Sequence, residues 1–304
     1  MKNYNYNINI IGLGYVGGAI SHLCKLNDIH FNVYDTIPKD TPFYFSDLKE
    51  MVINSELTGK LNVYFICVPT PSKDNGNNDD HHGDCDTSIV EMVMNQLGEY
   101  ITEKSVIILK STVTPGTSNR LNNSIENKNI SFVFCPEFLK EATYLDDIAN
   151  AEFTLLGTSN NIDTYVKMEL SSLFTDLYKH KQDPIDIIFE EYTICEMFKY
   201  TVNVFLSVKV WYFNEIHQVC EKFGIEYNKL RSLFKLEERI GESHTQVPGP
   251  DGKMGFGGKC LVKESKGMAR LQEKLGIPNE IMRSILLRNK LLRKNGILEK
   301  ISER

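Results

Sequence analysis

The sequence predicts an α/β fold in which a doubly wound parallel sheet is followed by an all-helical region. Short apolar, β-branched runs alternate with helical patterns over the first half of the chain. This apolar character suits strands that are buried on both faces of a parallel sheet. After Pro184 the strand-like runs give way to long helical patterns. These observations place the sheet first and the helical region second.

Six runs are predicted as strands because they are short, apolar and rich in β-branched or aromatic residues. Helical patterns over Val16–Leu26 and Ser88–Tyr100 separate some of these runs. The alternation implies βαβ units, whose crossovers build a parallel sheet with helices on both faces. The predicted strands are Asn7–Ile11, Phe31–Tyr34, Val63–Cys67, Val106–Leu109, Phe132–Phe134 and Phe153–Leu156.

The second half is dominated by one long helical pattern, from Glu190 to Phe223, which contains no glycine or proline. Its apolar residues lie on most faces, so we expect a largely buried helix that also forms much of a homodimer interface. A glycine- and proline-rich loop from Gly241 to Gly258 interrupts the helices that follow. The predicted domains are therefore residues 1–187 and a helical central domain over residues 188–304.

Composition excludes several classes of protein. The formal net charge of -6 argues against a nucleic-acid-binding surface, which needs clustered basic residues. No apolar run approaches the ~20 residues of a membrane span, and the polar start is unlike a signal peptide. Seven cysteines at irregular spacing do not form a disulfide framework. A reducing, cytoplasmic location is expected, with no membrane or nucleic-acid partner.

A glycine-rich turn predicts a dinucleotide site. Gly12, Gly14 and Gly17 form a GxGxxG pattern that follows a predicted strand and opens a predicted helix. Such glycines permit a tight turn and let a pyrophosphate approach the backbone at the helix N-terminus. Asp35 ends the next predicted strand, where an acid binds the ribose 2′-OH and repels a 2′-phosphate. The pattern predicts a Rossmann-type domain that binds NAD; a turn without a ligand is the alternative.

Cys260 is the candidate nucleophile. It follows a glycine-rich stretch and precedes Lys263, and a nearby cation favours the reactive thiolate. An isolated cysteine is more often a small buried apolar residue. That reading suits Cys24, Cys67, Cys135, Cys195 and Cys220, which lie at apolar helical positions or strand ends.

The motifs resemble those of the UDP-glucose and GDP-mannose dehydrogenase family, in order along nearly the whole chain. They are GLGYVG at 12–17, CVPTP at 67–71, KSTVTPGT at 110–117, CPEFLKEA at 135–142, EMFKYTVN at 196–203, FNE at 213–215, RIG at 239–241 and GFGGKCLVKES at 255–265. The resemblance implies two successive hydride transfers to NAD, which oxidise the C6 alcohol of a nucleotide sugar to a carboxylate through a thiohemiacetal and a thioester.

The resemblance also assigns catalytic roles. It makes Cys260 the group that attacks the C6 aldehyde. Lys199 and Asn203 share one face of the long helix, where a cation and an amide together stabilise an oxyanion. Read without the family, these two residues are better explained as a solvated lysine and an asparagine on the surface of a helix.

Four further residues take roles by resemblance. Glu141 is expected to transfer a proton or position water near the nicotinamide, and Glu137 to support the site. An acidic pair at the start of a helix is the alternative for these glutamates. Thr112 follows a predicted strand at the carboxyl edge of the sheet, where its hydroxyl holds the catalytic water. Arg239 resembles the substrate-binding arginine of the RIG motif.

Further contacts follow from the same motifs. Glu264 is added to the catalytic set, and Thr112, Glu141 and Lys263 to the cofactor contacts. The other expected cofactor contacts are Tyr15, Val16, Val68, Pro69 and Thr70. The expected substrate contacts are Glu137, Phe138, Leu139, Lys199, Asn203, Arg239, Phe256, Gly257 and Cys260. No metal is predicted.

The chain departs from the family pattern in several places. Val262 and Glu264 stand where the family has proline and aspartate, so the reach of the carboxylate changes. Residues 77–84 look like an insertion, whose Asp79, Asp80, His81, His82 and Asp84 we interpret as a mobile, solvated loop rather than a metal site. The family continues into a third, C-terminal α/β domain, and both a natural two-domain form and a truncation remain open.

Three functions are weighed. Oxidation of UDP-glucose is favoured, with GDP-mannose or UDP-N-acetylmannosamine as alternative substrates. A catalytically impaired nucleotide-binding or oligomerisation module is the second interpretation, suggested by the missing third domain together with Glu264 in place of aspartate. A two-electron 3-hydroxyacid dehydrogenase shares the layout of domains but gives Cys260 no role.

Overall fold

The computed structural model describes residues 4–73 and 83–295. Within this part the chain forms two compact units. Unit 1 contains residues 4–71 and 86–199, and unit 2 contains residues 72–73, 83–85 and 200–295. The predicted α/β class is confirmed.

Unit 1 is built on an eight-stranded sheet with the strand order β3-β2-β1-β4-β5-β6-β7-β8. All six predicted strands are present, with ends that differ by up to two residues, and β3 and β8 were not predicted. The sheet is not wholly parallel, because β7 runs antiparallel to β6 and parallel to β8. The strands are β1 Tyr6–Ile11, β2 Phe31–Tyr34, β3 Tyr44–Phe45, β4 Leu61–Ile66, β5 Ser105–Leu109, β6 Ile130–Phe134, β7 Phe153–Thr158 and β8 Asp186–Glu191.

Helices connect these strands and cover both faces of the sheet. Side chains alternate along each strand, so Ile10 and Phe65 join one hydrophobic core while Ile11 and Ile66 join the other. Both faces are therefore buried, as the apolar strands predicted. The helices are α1 Tyr15–Leu26, α2 Leu48–Glu56, α3 Ser88–Tyr100, α4 Thr117–Asn123, α5 Tyr144–Ala149, α6 Thr164–Leu177 and the start of α7, Tyr192–Phe223.

The long helix α7 begins two residues later than predicted. Glu190 and Glu191 end β8, where they pair with Gly157 and Thr158 of β7. The apolar run of β8 leads directly into the helix, so its pattern merges with that of α7 in the sequence. Strand β8 also crosses residue 187, and the domain division at that residue stays a prediction.

Unit 2 contains α7 from Tyr200 onward, together with α8 Tyr227–Arg231, a short 3-10 turn, α9 Lys259–Lys274 and α10 Glu280–Asn295. Its two hydrophobic clusters are smaller than those of unit 1; one contains Phe256 and the other contains Phe213. The predicted glycine- and proline-rich loop precedes α9 and contains no helix or strand.

The prediction that α7 is largely buried is wrong for one face. Phe198, Phe205, Tyr212 and Val219, each seven residues after the last, are between 43% and 61% exposed. We call these four residues the apolar stripe of α7. Ile194, Met197 and Phe223 are exposed as well.

In the described part of the chain, no helix is long and apolar enough to cross a membrane. All seven cysteines lie in this part, and none of them forms a disulfide.

Glu196 is a buried acid that holds the start of α4. It is 0% exposed, and its two carboxylate oxygens accept the N–H groups of Gly116 at 2.6 Å and Ser118 at 2.7 Å. Burial raises the pKa of Glu196, while these N–H groups act in the opposite direction. The carboxylate satisfies backbone donors that the first turn of a helix leaves without a partner.

Glu196→Ala should lower the free energy of unfolding by roughly 2–4 kcal/mol, because two buried N–H groups lose their acceptor. Urea denaturation would measure the change. Glu191→Ala, at an exposed position of β8, is the control and should change stability by less than about 0.5 kcal/mol. Equal effects of the two substitutions would contradict the assignment.

Candidate functional site

The glycine-rich turn lies between β1 and α1 at the carboxyl edge of the sheet. Gly12 has a φ of +89°, and a Cβ there would lie 2.8 Å from the carbonyl oxygen of Cys67. A Cβ on Gly17 would lie 2.0 Å from the carbonyl oxygen of Gly12, whereas one on Gly14 would meet nothing within 4 Å. Two glycines are therefore needed for packing, and Gly14 leaves open the surface where α1 begins.

Asp35 follows β2 and is tied to this turn. Its Oδ2 accepts the N–H of Leu13 at 2.7 Å, its Oδ1 accepts the N–H of Ile37 at 2.9 Å, and Lys39 lies 3.6 Å away. The sequence placed the carboxylate beside the turn but did not predict the bond to Leu13. This bond links the acid to the backbone that a pyrophosphate would approach.

The loops that follow β4 and β5 meet at the same edge. Thr70 Oγ1 donates to the carbonyl oxygen of Thr112 at 2.7 Å, and Ser111 Oγ donates to that of Val68 at 2.7 Å. Pro69 lies between the two residues of the first loop. The structure thus brings the predicted residues of CVPTP together with Thr112, at the edge where such sheets bind ligands.

Tyr15 and Glu141 also meet in unit 1. A hydrogen bond with Glu141 raises the pKa of the Tyr15 hydroxyl. Tyr15 begins α1 beside Val16, and its ring packs edge-on against Tyr144 at 5.3 Å. Residues 135–140 are in neither helix nor strand, and α5 begins only at Tyr144. The alternative of an acidic pair at the start of a helix is therefore wrong.

Lys199 and Glu137 form a buried ion pair. They are 2% and 8% exposed, and Lys199 Nζ lies 3.3 Å from Glu137 Oε1 and donates to the Glu137 carbonyl oxygen. Glu137 Oε2 accepts the N–H of Leu139 at 2.8 Å, and the ammonium lies 5.2 Å from the centre of the Phe138 ring. The alternative of a solvated lysine is wrong: this cation is held in a fixed place by the CPEFLKEA segment.

In unit 2, Asn203 and Glu264 form a second buried pair. Asn203 Nδ2 donates to Glu264 Oε2 at 3.0 Å, and Glu264 is 1% exposed. One turn further along α7, Ser207 Oγ donates to the carbonyl oxygen of Leu261 at 3.3 Å. Each of these two hydrogen bonds joins a residue of α7 to a residue of α9, so the first turns of α9 are fixed to α7. The solvated reading of Asn203 is also wrong.

Cys260 is the second residue of α9 and is exposed, whereas the other six cysteines are buried. Burial raises the pKa of the Cys67 and Cys195 thiols to about 12 each, so these two stay protonated near neutral pH. Cys260 instead lies where helix N–H groups stabilise a thiolate. Lys263, one turn further on, is half-buried.

Arg239 is exposed and pairs with Glu237 through two hydrogen bonds, of 2.7 and 2.9 Å. Its substrate-binding role stays a prediction. Phe256 is 2% exposed in the loop before α9, and a Cβ on the adjacent Gly257 would lie 2.6 Å from the guanidinium of Arg293.

Sequence reasoning missed several residues that shape these segments. Glu196 lies in the EMFKYTVN motif, three residues before Lys199. This spacing places both side chains on one face of a helix, and it was the signal that could have identified Glu196. Asn214 and Asn289 bind the loop before α9; a polar residue amid the apolar pattern of a helix was their signal. Lys110 is buried and its Nζ lies 3.3 Å from Cys135 Sγ. Nothing in the local sequence pointed to that contact.

No group of histidine, cysteine or acidic side chains in the described residues could hold a metal ion. Asp79, Asp80, His81 and His82 lie outside the described residues. Asp84 is described, and its carboxylate pairs with Lys274 at 2.8 Å and with Arg270 at 3.8 Å, both in α9.

Comparison with known families identifies both halves of the chain. Residues 45–180 match the model described as the UDP-glucose/GDP-mannose dehydrogenase family, NAD binding domain. Residues 193–290 match the model of the central domain of the same family. NAD is therefore the cofactor that the α/β domain binds.

Individual relatives agree with this match. A UDP-glucose 6-dehydrogenase of Rickettsia typhi is 28% identical over 97% of this chain and 69% of its own length. A GDP-mannose 6-dehydrogenase of Pseudomonas aeruginosa is 27% identical over 93% of this chain and 68% of its own length. The structure of a UDP-glucose dehydrogenase from Pyrobaculum islandicum superposes with a TM-score of 0.75 at 23% identity, covering 94% of this chain and 68% of that one.

Gly14→Ala and Gly17→Ala should separate ligand binding from packing. Gly17→Ala forces a Cβ against backbone and should cost roughly 3 kcal/mol of stability or more, with loss of NAD binding. Gly14→Ala should leave stability within about 1 kcal/mol but weaken NAD binding about tenfold or more, because its methyl occupies the open approach to the helix N-terminus. Urea denaturation and calorimetric NAD titration measure both. Unchanged NAD affinity in Gly14→Ala would contradict the prediction.

Proposed function

Because the chain belongs to the UDP-glucose/GDP-mannose dehydrogenase family, we propose that it oxidises the C6 alcohol of a nucleotide sugar to a carboxylate in an NAD-dependent, four-electron reaction. The observation that carries the proposal is Cys260, an exposed thiol at the start of α9 in a chain whose other thiols are buried. UDP-glucose is the first candidate substrate, as in the relative from Rickettsia typhi, and GDP-mannose and UDP-N-acetylmannosamine are the alternatives.

In the proposed reaction, the residues of the glycine-rich turn and Asp35 would hold NAD, which would supply the hydride acceptor for each of two oxidations. The first converts the alcohol to an aldehyde with release of a proton. The Cys260 thiolate then forms a C–S bond to the aldehyde carbon, and the carbonyl electron pair moves to oxygen. The second oxidation leaves a thioester on Cys260. Water breaks the C–S bond, so one alcohol and one water yield one carboxylate, two NADH and three protons.

The developing negative charge on oxygen needs donors that are already in place. We assign this role to Lys199 and Asn203, one turn apart on α7. Glu137 fixes Lys199, and Glu264 fixes Asn203, so neither side chain has to be ordered during the reaction. An ammonium and an amide both present N–H donors, the groups that stabilise a developing oxyanion.

Glu141 and Thr112 are assigned to proton transfer and to holding the water that attacks the thioester. Support comes from their chemistry: Glu141 is an exposed carboxylate that already accepts a hydrogen bond from Tyr15. Thr112 lies past the end of β5, beside the loop that carries Thr70. An exposed carboxylate is chemically suited to act as a general base.

The second candidate function is a catalytically impaired nucleotide-binding module. Glu264 in place of aspartate suggested it, but the buried bond from Asn203 supports the active enzyme, because the longer side chain still reaches its partner. A 3-hydroxyacid dehydrogenase is disfavoured because its reaction needs no thiol.

We also propose that the protein is cytoplasmic and that it assembles as a homodimer through the apolar stripe of α7. The stripe repeats every seven residues, which is the period of a helix that packs along another helix. Exposed aromatic side chains in a continuous row lose contact with water when two such helices meet.

The stoichiometry of NADH tests the proposed reaction. The wild-type protein should yield two NADH for each UDP-glucose consumed, measured at 340 nm against the acid formed. Cys260→Ala should reduce acid formation by about a thousandfold or more while leaving NAD affinity unchanged.

Parallel assays with GDP-mannose and UDP-N-acetylmannosamine identify the sugar. One NADH per sugar would favour a two-electron dehydrogenase, and no NADH with any of the three substrates would favour the impaired module. Acid formation at the wild-type rate in Cys260→Ala would exclude covalent catalysis by this thiol.

Phe205→Glu should convert the dimer to a monomer, because it places a charge in the middle of the apolar stripe. Light scattering at micromolar concentration measures the mass. Leu57→Glu, at a position that is 80% exposed in unit 1, is the control and should leave the dimer intact. A wild-type protein that is monomeric under these conditions would contradict the proposal.

A further inference from the structure

Two buried asparagines hold the loop before α9 in unit 2. Asn214 on α7 accepts the N–H of Gly255 at 2.8 Å and donates to the carbonyl oxygen of Val210 at 2.8 Å. Asn289 on α10 accepts the N–H of Phe256 at 2.7 Å and donates to the carbonyl oxygen of Phe256 at 2.9 Å. The two asparagines are 1% and 6% exposed.

The chemistry of the amide explains why asparagine occupies position 289. Its donor and acceptor pair with both backbone groups of Phe256, as a neighbouring strand would. Asparagine is a poor residue for the interior of a helix, and a buried amide is unfavourable unless it is paired. The presence of an asparagine at position 289 is therefore explained by its hydrogen bonds to the loop and not by the stability of α10. A Cβ on Gly255 would lie 2.4 Å from Asn289 Oδ1, so the glycine permits this close contact.

We call the hydrogen bonds from Asn214 to Gly255 and from Asn289 to Phe256 the clamp. The clamp lies just before Cys260, the proposed nucleophile, in the sequence. Only Gly257, Gly258 and Lys259 separate Phe256 from Cys260, and Gly258 has a φ of +77°, a conformation that glycine adopts most easily. Two consecutive glycines give this connection wide conformational freedom. On the downstream side, the carbonyl oxygen of Leu261 accepts a hydrogen bond from Ser207. Hydrogen bonds therefore hold the backbone on both sides of Cys260, and together they fix the residue at which α9 begins.

We propose that Asn289 is a positioning residue: by clamping Phe256 it fixes the first turn of α9 and thereby the place and reactivity of Cys260. Asn214 completes the clamp at Gly255. The inference rests on the proposed role of Cys260 as the nucleophile, but the clamp itself acts on the reactivity of the thiol and can be measured without substrate.

Alkylation of the thiol by iodoacetamide tests the clamp, because Cys260 is exposed and the six other cysteines are buried. In Asn289→Ala we expect the rate at neutral pH to fall about fivefold and the pH of half-maximal rate to rise, since the thiolate loses its ordered helix N-terminus. Turnover should fall in parallel, while the affinity for NAD stays unchanged. Cys260→Ser provides the background rate.

Asn279→Ala is the matched control. Asn279 also donates from a half-buried amide to a backbone carbonyl of unit 2, that of Ala269 at 2.9 Å, which lies in α9 and not in the loop. This variant should lose comparable thermal stability and keep the wild-type alkylation profile. If Asn289→Ala fails to fold, Asn214→Ala carries the test, and it should change the alkylation profile in the same direction.

A wild-type alkylation rate and pH profile in Asn289→Ala would overturn the proposal, and so would an equal change in Asn279→Ala. These outcomes are distinct from failure of the proposed function. If Cys260→Ala kept full activity, the nucleophile would be wrong, whereas the alkylation profiles would still decide whether Asn289 positions the thiol.

Discussion

The buried side of α7 carries a row of polar residues among its apolar ones, and every polar group in this row needs a partner. Leaving one such group without a hydrogen bond costs about 1–3 kcal/mol, so each of them constrains the segment that supplies its partner. The residues are Glu196, Lys199, Asn203, Ser207 and Asn214, all 9% exposed or less. They recur at intervals of three, four or seven residues, which places them along one side of the helix.

The partners of these five residues lie on the segments that carry the sequence motifs. Glu196 holds the turn that follows KSTVTP, and Lys199 holds Glu137 in the segment after β6. In unit 2, Asn203 holds Glu264, and Asn214 holds the glycine-rich loop. The helix thus orders irregular backbone that would otherwise have to be fixed by its own packing. The opposite side of the helix carries the apolar stripe.

The regular elements were predictable where their pattern was local. Helix α3 and strand β2 have the bounds that periodicity gave, because apolar spacing and flanking turns are read within a few residues. Strand β8 was missed because it leads into α7 without a turn signal, and its pairing with β7 depends on residues about thirty positions earlier. For α7, periodicity showed apolar residues on several faces but not which face was covered.

The candidate site was predictable as a set of residues and not as a set of contacts. The resemblance found Lys199 and Asn203, whereas their local pattern alone favoured a solvated surface. What buries them is Glu137, 62 positions from Lys199, and Glu264, 61 positions from Asn203. Contacts at such separation follow from the fold and leave no local pattern. Asn289 was missed for the same reason, because its partner lies 33 positions away.

Six of the seven cysteines are buried and one is exposed, and this difference determines which thiol is oxidised first. Peroxide attacks thiolates that it can reach, and among the cysteines it meets Cys260 first while the buried thiols are shielded. Mild oxidation should therefore modify that one sulfur atom and leave the folded chain intact. Because thiols reduce a sulfenic acid back to a thiol, the first step of this oxidation is reversible.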